Sequence, residues 1–465
     1  MGSEQQYIEL YEQARDVIFA HAPETMNAVR DEAFRHFKAA GFPSKKVERY
    51  KYTDLQKIFE PDYGVNLSRL KIPADPYQAF RCDVPNLSTM LFFMVNDTFY
   101  ADDTSAPHSP HSKLKDGGIV IGSMRELLSD EHSALHSVLA GKYSRLARTE
   151  DDAVTALNTM LAQDGLLVYV PRGVKADRAV QVINILKTTP QNAQRTVPDM
   201  MVNRRVLIVL EEGAELKLLF CDHAADDRNF LTTQVIEAYV GERASLDLYC
   251  LEETHYKNNR VSNVYIDQQG GSRVTHNVIT LHNGTTRNKL DLTFSGEGAE
   301  CHCYGCVIAD KGQVVDNNTL ITHRVPHCTS DELYKYVLND KATGAFAGRV
   351  LVEHGAQQTA SQMTNQNLCA SPQARMYTQP MLEIYADDVK CGHGSTVGQL
   401  NDAALFYMRQ RGISEQEART LLQVAFINQV IEKIELAPLR DRLHYLVEKR
   451  FRGELNKCKG CMLCR

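Results

Sequence analysis

The segment EEGAELKL, residues 211–218, puts a glycine and an alanine in a corner and then resumes alternating apolar and polar positions. Similar corners follow at VGERASLDL (240–248), SGEGAECHC (295–303), EHGAQQTA (353–360) and SPQARMYT (371–378). Between about Leu166 and Leu400, short Val, Ile, Leu and Tyr segments separate these corners, with almost no helical periodicity. Corners that recur at drifting spacings of tens of residues favour an irregular solenoid, in which the residue after each Gly or Pro points inward. A jelly roll or a double sandwich is the alternative on this pattern alone.

Helical spacing flanks the β-rich region on both sides. Residues 1–40 predict two helices, segments 89–103 and 117–123 predict strands, and segment 151–165 predicts a helix. After Leu400, residues 401–434 predict two helices joined at Gly412, with Ser414 as N-cap and Glu417 completing a capping box. We therefore divide the chain into regions 1–165, 166–400 and 401–465. The predicted apolar stripe of the second C-terminal helix consists of Ala418, Leu421, Leu422, Ala425 and Ile431.

Composition describes an ordinary globular chain of 465 residues, with 43% hydrophobic and 24% charged residues. The net charge of -6 and the lack of a basic stripe argue against a nucleic-acid partner. The acidic N-terminus is unlike a signal peptide, and the apolar run at 90–95 is too short to span a membrane, so we expect a cytoplasmic protein. Its twelve cysteines are then free thiols, metal ligands or catalytic groups, because the cytosol keeps disulfides reduced. Phosphate-loop, dinucleotide and nucleophile-elbow motifs are missing from the sequence.

Three motifs carry metal-binding side chains. In EIYADDVKCGHGSTVGQL (383–400), Cys391 and His393 lie two apart on a predicted strand and share a face, so they could converge on one ion or cluster, or simply be packed in a corner. In ECHCYGC (300–306), Cys301 and Cys303 would share a face and Cys306 would follow a turn at Gly305. That spacing fits no specific metal signature and favours packed thiols.

The third motif is the tail NKCKGCMLCR, residues 456–465. Its cysteines have C-x2-C-x2-C spacing, like the start of an iron–sulfur run without the fourth cysteine. A partner chain could supply a fourth ligand, or the tail could bind metal adventitiously. These cysteines are Cys458, Cys461 and Cys464.

Three segments (314–340, 342–352 and 382–414) closely resemble the SufB/SufD family of the SUF iron–sulfur cluster assembly system. The resemblance spans roughly residues 165–434. Within it, CGHGSTVG (391–398) has the SufD form, where SufB-like chains carry an E-H-E-A-T-T type of sequence. GFPSKKVERYKYTDL (41–55) is similar to the N-terminal segment of the SufD form, with Tyr50 where the family usually shows tryptophan.

The resemblance implies a mainly β fold, a right-handed parallel β-helix flanked by N-terminal and C-terminal helical regions. It implies a scaffold subunit and not an enzyme, which pairs with a SufB-like protein as a heterodimer and with a SufC-like ATPase through the C-terminal helices. Iron and persulfide sulfur would form a transient cluster there. His393 matches the family's functional histidine at the partner interface, and Cys391 the cysteine beside it. A reduced flavin is associated with such complexes, although no residue here specifies one, and the isolated chain would need no cofactor and would form a homodimer.

Two other functions compete with the scaffold. A stand-alone polysaccharide-active β-helix enzyme would need acids along one groove, whereas the acids here are scattered through turns. A self-contained metalloprotein would use the tail cysteines. If the chain is a scaffold, a neutral imidazole can bind iron without losing a proton. The Cys391 thiol needs a metal or a cation to ionise, and Asp387 and Asp388 would oppose that ionisation if they lie close. We therefore expect His393 to be the functional residue and Cys391 to be auxiliary.

Overall fold

The computed structural model describes residues 2–70, 72, 76, 90–100, 111–113, 118–133, 135–188 and 199–454. The tail motif with Cys458, Cys461 and Cys464 lies outside these residues, so its predicted roles stay predictions.

Two sheets form the centre of the described part of the chain, one with 11 strands and one with 10. From β6 onward, consecutive strands alternate between the two sheets, and each pairs in parallel with the strand two further along the chain. The strands are β1 Gly64–Val65, β2 Met90–Val95, β3 Thr98–Tyr100, β4 His111–Lys113, β5 Val120–Ser123, β6 Leu166–Val170, β7 Val180–Leu186, β8 Met200–Leu210, β9 Glu215–Ala224, β10 Phe230–Val240, β11 Ser245–Glu253, β12 Asn258–Gln268, β13 Arg273–His282, β14 Thr285–Phe294, β15 Glu300–Ala309, β16 Val314–His323, β17 Thr329–Leu338, β18 Thr343–Val352, β19 Thr359–Cys369, β20 Arg375–Ile384 and β21 Val389–Gly398.

This alternation is a parallel β-solenoid of about seven turns, so the predicted solenoid is confirmed and the double sandwich is wrong. Each coil contributes one strand to each sheet, and side chains from both sheets meet between them in one continuous core. Alternate positions of a strand point to the same side, so the register stacks like positions of successive coils into columns. One such column runs through Leu218, Leu248 and His276.

Alanines occupy corners between consecutive strands of the solenoid, where the chain passes from one sheet to the other. The prediction that the residue after Gly or Pro points inward is wrong at Gly241 and Pro372, because the exposed residues Glu242 and Gln373 follow them. At these corners an alanine takes the inward place instead, three positions after Gly241 and two positions after Pro372. A small side chain fits the tight corner, and the charged or amide side chain stays in water. The inward alanines are Ala214, Ala244, Ala299, Ala356 and Ala374.

The described helices lie before and after the solenoid, as the resemblance implied. In the N-terminal part, the apolar helix at residues 153–161 is fully buried between the first helices and the outer face of the 11-stranded sheet. Asn158 Nδ2 anchors it by donating to Arg204 O (3.1 Å) and Thr233 Oγ1 (3.0 Å). The helices are α1 Glu4–Ala20, α2 Glu24–Asn27, α3 Arg30–Ala40, α4 Leu55–Ile58, α5 Met124–Ser129, α6 His136–Ala140, α7 Ala153–Leu161, α8 Asp402–Gln410, α9 Glu415–Ile431 and α10 Ala437–Phe451, with a 3-10 turn at Glu48–Tyr50.

The segment at residues 41–55 lies along the outer face of the same sheet as far as the last coil. Arg49 Nη2 donates to Asp291 Oδ1 at 2.6 Å. Further along, the Tyr52 ring stacks on Tyr377 of β20 with centroids 4.9 Å apart. The N-terminal region therefore reaches the C-terminal end of the solenoid.

The C-terminal helices α9 and α10 pack on the outer face of the 10-stranded sheet. Arg450 fastens α10 by donating to Leu281 O (2.5 Å) and Asp310 Oδ2 (2.6 Å). Ser414 caps α9 as predicted, accepting from Glu417 N at 3.2 Å, but the Glu417 carboxylate pairs with Arg452 (2.8 Å) and forms no capping box.

The predicted apolar stripe of α9 is partly wrong. Leu421 and Ala425 are exposed, and of the stripe only Ala418 and Ile431 are fully buried. A different face of the helix, which includes Thr420 and Gln423, packs against the sheet. Gln423 is satisfied there because its Oε1 accepts a hydrogen bond from Asn339 Nδ2 at 3.1 Å. The residues of α9 that are buried are Ala418, Thr420, Gln423, Ile427, Val430 and Ile431.

Candidate functional site

Cys391 and His393 lie on β21, the last strand of the 10-stranded sheet. Cys391 pairs with Ser361 and His393 with Met363, whose side chain is fully buried in the solenoid core. Since paired residues of parallel strands point the same way, both side chains lie on the interior face of the final coil. Cys391 is half-buried against the core, whereas His393 is exposed.

We call the end of the solenoid formed by β20 and β21 the open end. Each of these strands pairs with a solenoid strand on one side only among the described residues, which leaves backbone donors and acceptors along its other side. Large apolar side chains are exposed around it, including Tyr385 (49%) and Val397 (52%). An unpaired strand edge beside exposed apolar groups is typical of a surface that binds another chain.

Two glycines on β21 leave open space along this strand edge. A Cβ added at Gly394 or Gly398 would meet no atom within 4 Å, so neither glycine is required by packing inside this chain. Glycine inside a strand often marks a place where another backbone approaches closely. The open end therefore has room for such an approach next to His393.

Burial raises the pKa of the Cys391 thiol, and a backbone hydrogen bond to Ser361 opposes this only in part. The expected opposition from Asp387 and Asp388 is not among the causes of the shift. Asp388 instead caps the corner, where its backbone N–H donates to Gln357 Oε1 at 2.9 Å. The thiol is therefore protonated near neutral pH until a metal or a cation comes close.

In the part of the chain that the structure describes, no three His, Cys, Asp or Glu side chains are grouped so that they could hold a metal ion. Cys391 and His393 offer two ligands on one face, and a tetrahedral iron or zinc site needs further ligands. The geometry thus places two side chains of metal-binding type on one face at the open end.

The thiols of ECHCYGC are packed inside the protein, as we favoured from the sequence. Cys301 and Cys303 point into the solenoid core, while Cys306 lies under the C-terminal helices. The predicted turn at Gly305 is wrong, because β15 runs straight through it and a Cβ there would lie 2.1 Å from Tyr334 Cδ1. A hydrogen bond that the Cys303 thiol donates to Cys301, together with burial, raises the pKa of Cys303, and burial raises that of Cys306 to about 12.

A second exposed surface lies on the C-terminal helices. Phe406 (61% exposed) and Tyr407 (57%) of α8 project into solvent, and so does Leu421 (41%) of α9. The Arg411 guanidinium lies 5.1 Å from the Tyr407 ring and its Nη2 donates to the Tyr407 hydroxyl at 2.9 Å. We call Phe406, Tyr407 and Leu421 the helical patch; aromatic residues beside arginine are characteristic of protein interfaces.

Sequence reasoning missed a polar column inside the solenoid. His276, Cys303 and Glu332 are register partners on β13, β15 and β17, and Met363 and His393 continue the column to the open end. His276 and Glu332 are buried, and their side-chain polar atoms have no hydrogen-bond partner in the protein. The sequence does show polar residues at inward positions of consecutive strands. It does not show that they lie above one another, because that depends on the register between the strands.

Comparison with known proteins defines the class to which this solenoid and its open end belong. The model of the SUF system FeS cluster assembly SufBD core domain matches residues 190–426, and the model of the SufBD protein N-terminal region matches residues 1–182. The chain therefore belongs to the SufB/SufD family, whose members act in iron–sulfur cluster assembly.

Individual relatives agree with this. The chain is 26% identical to an iron–sulfur cluster assembly SufBD family protein of Synechocystis, over 88% of this chain and 87% of that protein. It is 28% identical to the iron–sulfur cluster assembly protein SufD of Escherichia coli, over 64% and 69% of the two chains. It is 24% identical to SufD of Bacillus subtilis, over 89% and 91%.

Among the helices that the structure describes, none combines the length and the apolar character that a bilayer-spanning helix needs.

Proposed function

We propose that this chain is a cytoplasmic scaffold subunit of iron–sulfur cluster assembly that pairs with a SufB-like protein through the open end. The observation that carries this proposal is the position of His393, which is exposed on an unpaired end strand while the residues below it in its column are buried. Family membership supports the general role, and the open end supports the kind of contact.

Pairing through the open end follows from its unsatisfied backbone and exposed apolar side chains. A partner strand can add to β20 or β21 by main-chain hydrogen bonds, as in β-augmentation. Exposed groups such as Tyr385 and Val397 would be buried in the same contact. In the absence of the SufB-like partner, a second copy of this chain can occupy the same surface, so we propose a homodimer for the isolated chain.

The substrate at this interface would be iron or a nascent cluster. His393 can bind iron through a neutral ring nitrogen, and Cys391, two residues earlier on the same face, can add a thiolate once the metal lowers its pKa. Burial keeps the thiol protonated before that. The partner would supply the remaining ligands, because the described residues of this chain offer no third one at the site.

The helical patch is the proposed docking surface for a SufC-like ATPase. Its side chains are exposed, although α9, which carries Leu421, buries its other face on the 10-stranded sheet. The patch can therefore bind a partner without rearrangement of α9.

A flavin does not fit the cavity inside the central coils that Cys250, His276 and Tyr334 help to line. The cavity there has a volume of about 10 Å3, which is the size of a water molecule and excludes an isoalloxazine ring. We assign no residue of this chain to a flavin.

The test is anaerobic reconstitution with a SufB-like and a SufC-like protein, followed by iron and sulfide analysis and light scattering. We expect a complex that contains this chain and assembles cluster faster than the same mixture without it. A chain that stays separate from both partners would contradict the proposal. Stoichiometric iron and sulfide on the isolated chain would favour a self-contained metalloprotein instead.

A further inference from the structure

The two strand edges at the open end differ in their backbone hydrogen-bonding groups. Along a strand, successive residues direct their N–H and C=O groups to opposite sides, so every second residue serves the neighbouring strand. On an end strand the remaining residues face outward. The backbone hydrogen bonds at the ends of β20 and β21 show which residues these are.

On β20 the odd-numbered residues serve the inner neighbour β18. Arg375 N, at the start of the strand, donates to Ala342 O at 3.0 Å. Tyr385 N, just past its end, donates to Val352 O at 2.8 Å, and the register between them is unbroken. The even-numbered residues therefore face outward. They are Met376, Thr378, Pro380, Leu382 and Ile384.

Pro380 lies in the middle of this outward set. Proline has no N–H to donate, and inside sheets it is confined to edge strands, strand starts and bulges. Because Pro380 faces outward, it removes no hydrogen bond between β20 and β18. A strand laid along β20 would instead lose a hydrogen bond at the centre of the edge. Proline at such a position is one of the devices by which natural sheets keep an edge from pairing.

On β21 the outward set is complete. Asp388 O accepts from Gln358 N at 2.7 Å on the β19 side, and Thr396 O accepts from Asn367 Nδ2 of β19 at 2.9 Å. The even-numbered residues therefore face β19. Each outward residue has an N–H to donate, so a strand can pair along the whole of this edge. The outward residues are Val389, Cys391, His393, Ser395 and Val397.

A second copy of this chain presents the same edge and could supply the pairing strand. Two equal edges related by a two-fold axis run antiparallel, and outward residues directly opposite each other exchange two hydrogen bonds. Full overlap of two β21 strands puts His393 opposite its counterpart, and both bonds form. Full overlap of two β20 strands would put Pro380 opposite its counterpart, and both central bonds would be lost.

We infer that two copies of this chain join at the open end through one strand pair, β21 with β21, and that the edge of β20 stays unpaired. Gly394 and Gly398 leave room on β21 for the second backbone. The inference names the strands of the homodimer proposed above and rests on that proposal.

Amide hydrogen exchange tests the inference on the unaltered chain. Outward amides of both strands should exchange fast in the dilute monomer, since no ladder hydrogen bond protects them. In the dimer, we expect the outward amides of β21 to slow roughly tenfold or more and those of β20 to keep their monomer rates. Equal slowing on the two strands, or slowing on β20 alone, would overturn the inference.

Ser395→Pro and Thr378→Pro are matched variants for the same question. Each puts a proline at an outward position of one end strand, and each removes the same hydrogen bond between Thr378 Oγ1 and Ser395 Oγ (2.7 Å). Ser395→Pro takes one donor from each copy in the β21 pair, so the dissociation constant of the dimer should rise roughly tenfold or more. Thr378→Pro should stay within about twofold of the wild type.

Equal weakening by the two variants would show that both edges pair, and the inference would be wrong. Dimers of wild-type affinity in both variants would place the contact away from the β21 backbone and would also overturn it. If either variant fails to fold, the exchange rates of the unaltered chain decide the case. A wild type that stays monomeric at every concentration would contradict the proposed homodimer itself, and the strand pairing with it.

Discussion

Thr378 Oγ1 and Ser395 Oγ lie 2.7 Å apart across the open end, so one hydrogen bond joins the last strand of each sheet. Ser395 lies two residues after His393 and on the same face of β21. The bond therefore fixes the strand that carries His393 before any partner binds. A site that is ordered in advance loses less conformational entropy when the partner closes over it.

Replacement of His393 should be more damaging than replacement of Cys391. We expect His393→Ala to fold normally and to lower cluster assembly in the complex roughly tenfold or more, because a ligand is lost. Cys391→Ser should have a much smaller effect, since the thiol is protonated by burial until metal arrives. Activity of iron–sulfur enzymes in cells that depend on each variant measures both.

His132→Ala provides the control for this pair, since His132 is exposed on the N-terminal region, far along the chain from β21. It should behave as the wild type. A more severe defect in Cys391→Ser than in His393→Ala would mean that the two roles are assigned in the wrong order.

Gly394→Val should block association at the open end without destabilising the chain. A Cβ added at Gly394 meets no atom within 4 Å, so the free energy of unfolding should change by less than about 0.5 kcal/mol. The isolated variant should be monomeric in light scattering at concentrations where the wild type dimerises. Gly312→Val is the matched control, since Gly312 also has open space around it but lies at a corner between β15 and β16. Dimers of unchanged affinity in Gly394→Val would place the contact elsewhere.

Charges in the helical patch should abolish binding of the ATPase partner. Phe406→Asp with Leu421→Asp places carboxylates on two exposed side chains that the fold does not need, so Tm should move by only a few degrees. Pull-down and stimulation of ATP hydrolysis measure the loss. Tyr445→Asp changes a comparably exposed aromatic residue on α10 and should bind normally. Binding that survives the double variant would exclude the patch as the docking surface.

The buried carboxyl of Glu332 should make stability fall as pH rises. Burial raises its pKa from 4.5 to about 7, so between these values the unfolded chain releases the proton while the folded chain keeps it. The free energy of unfolding then decreases across this window, by up to roughly 3 kcal/mol from this group alone.

Glu332→Gln should remove that decrease, whatever its effect on absolute stability. Urea unfolding at several pH values between 4.5 and 7 measures the slope for the wild type and the variant. Glu300→Gln, at an exposed position that begins β15, should keep the wild-type slope. Parallel slopes in the wild type and Glu332→Gln would show that Glu332 ionises normally in the folded chain.

The sequence predicts the solenoid because its corners recur and its strands alternate, and these patterns are local. The orientation of α9 could not be predicted in the same way. Leu421 is apolar and exposed, while Gln423 is polar and buried, because tertiary contacts with residues such as Asn339 decide which face packs. The same holds for Gly305, whose role is to leave room for Tyr334 of the neighbouring coil.

For the candidate site, the shared face of Cys391 and His393 follows from their spacing alone. Their position at the end of the sheet does not, because it depends on how many coils precede them. The lining of the cavity inside the central coils could not be predicted from the sequence for a similar reason. Arg260 and His276 are 16 positions apart and come together only through the register of β12 and β13 in opposite sheets.

The segment at residues 41–55 gives the chain an unusual order of assembly. Glu48 Oε1 accepts from Gln379 Nε2 at 2.9 Å across a separation of 331 residues. At typical rates of synthesis, roughly 20 to 60 s pass between the appearance of these two residues. During that time the first helices can pack against one another, whereas the segment at residues 41–55 cannot form its contact with Gln379 until the last coils have been made. These two parts of the molecule are thus joined only after residue 379 has been made.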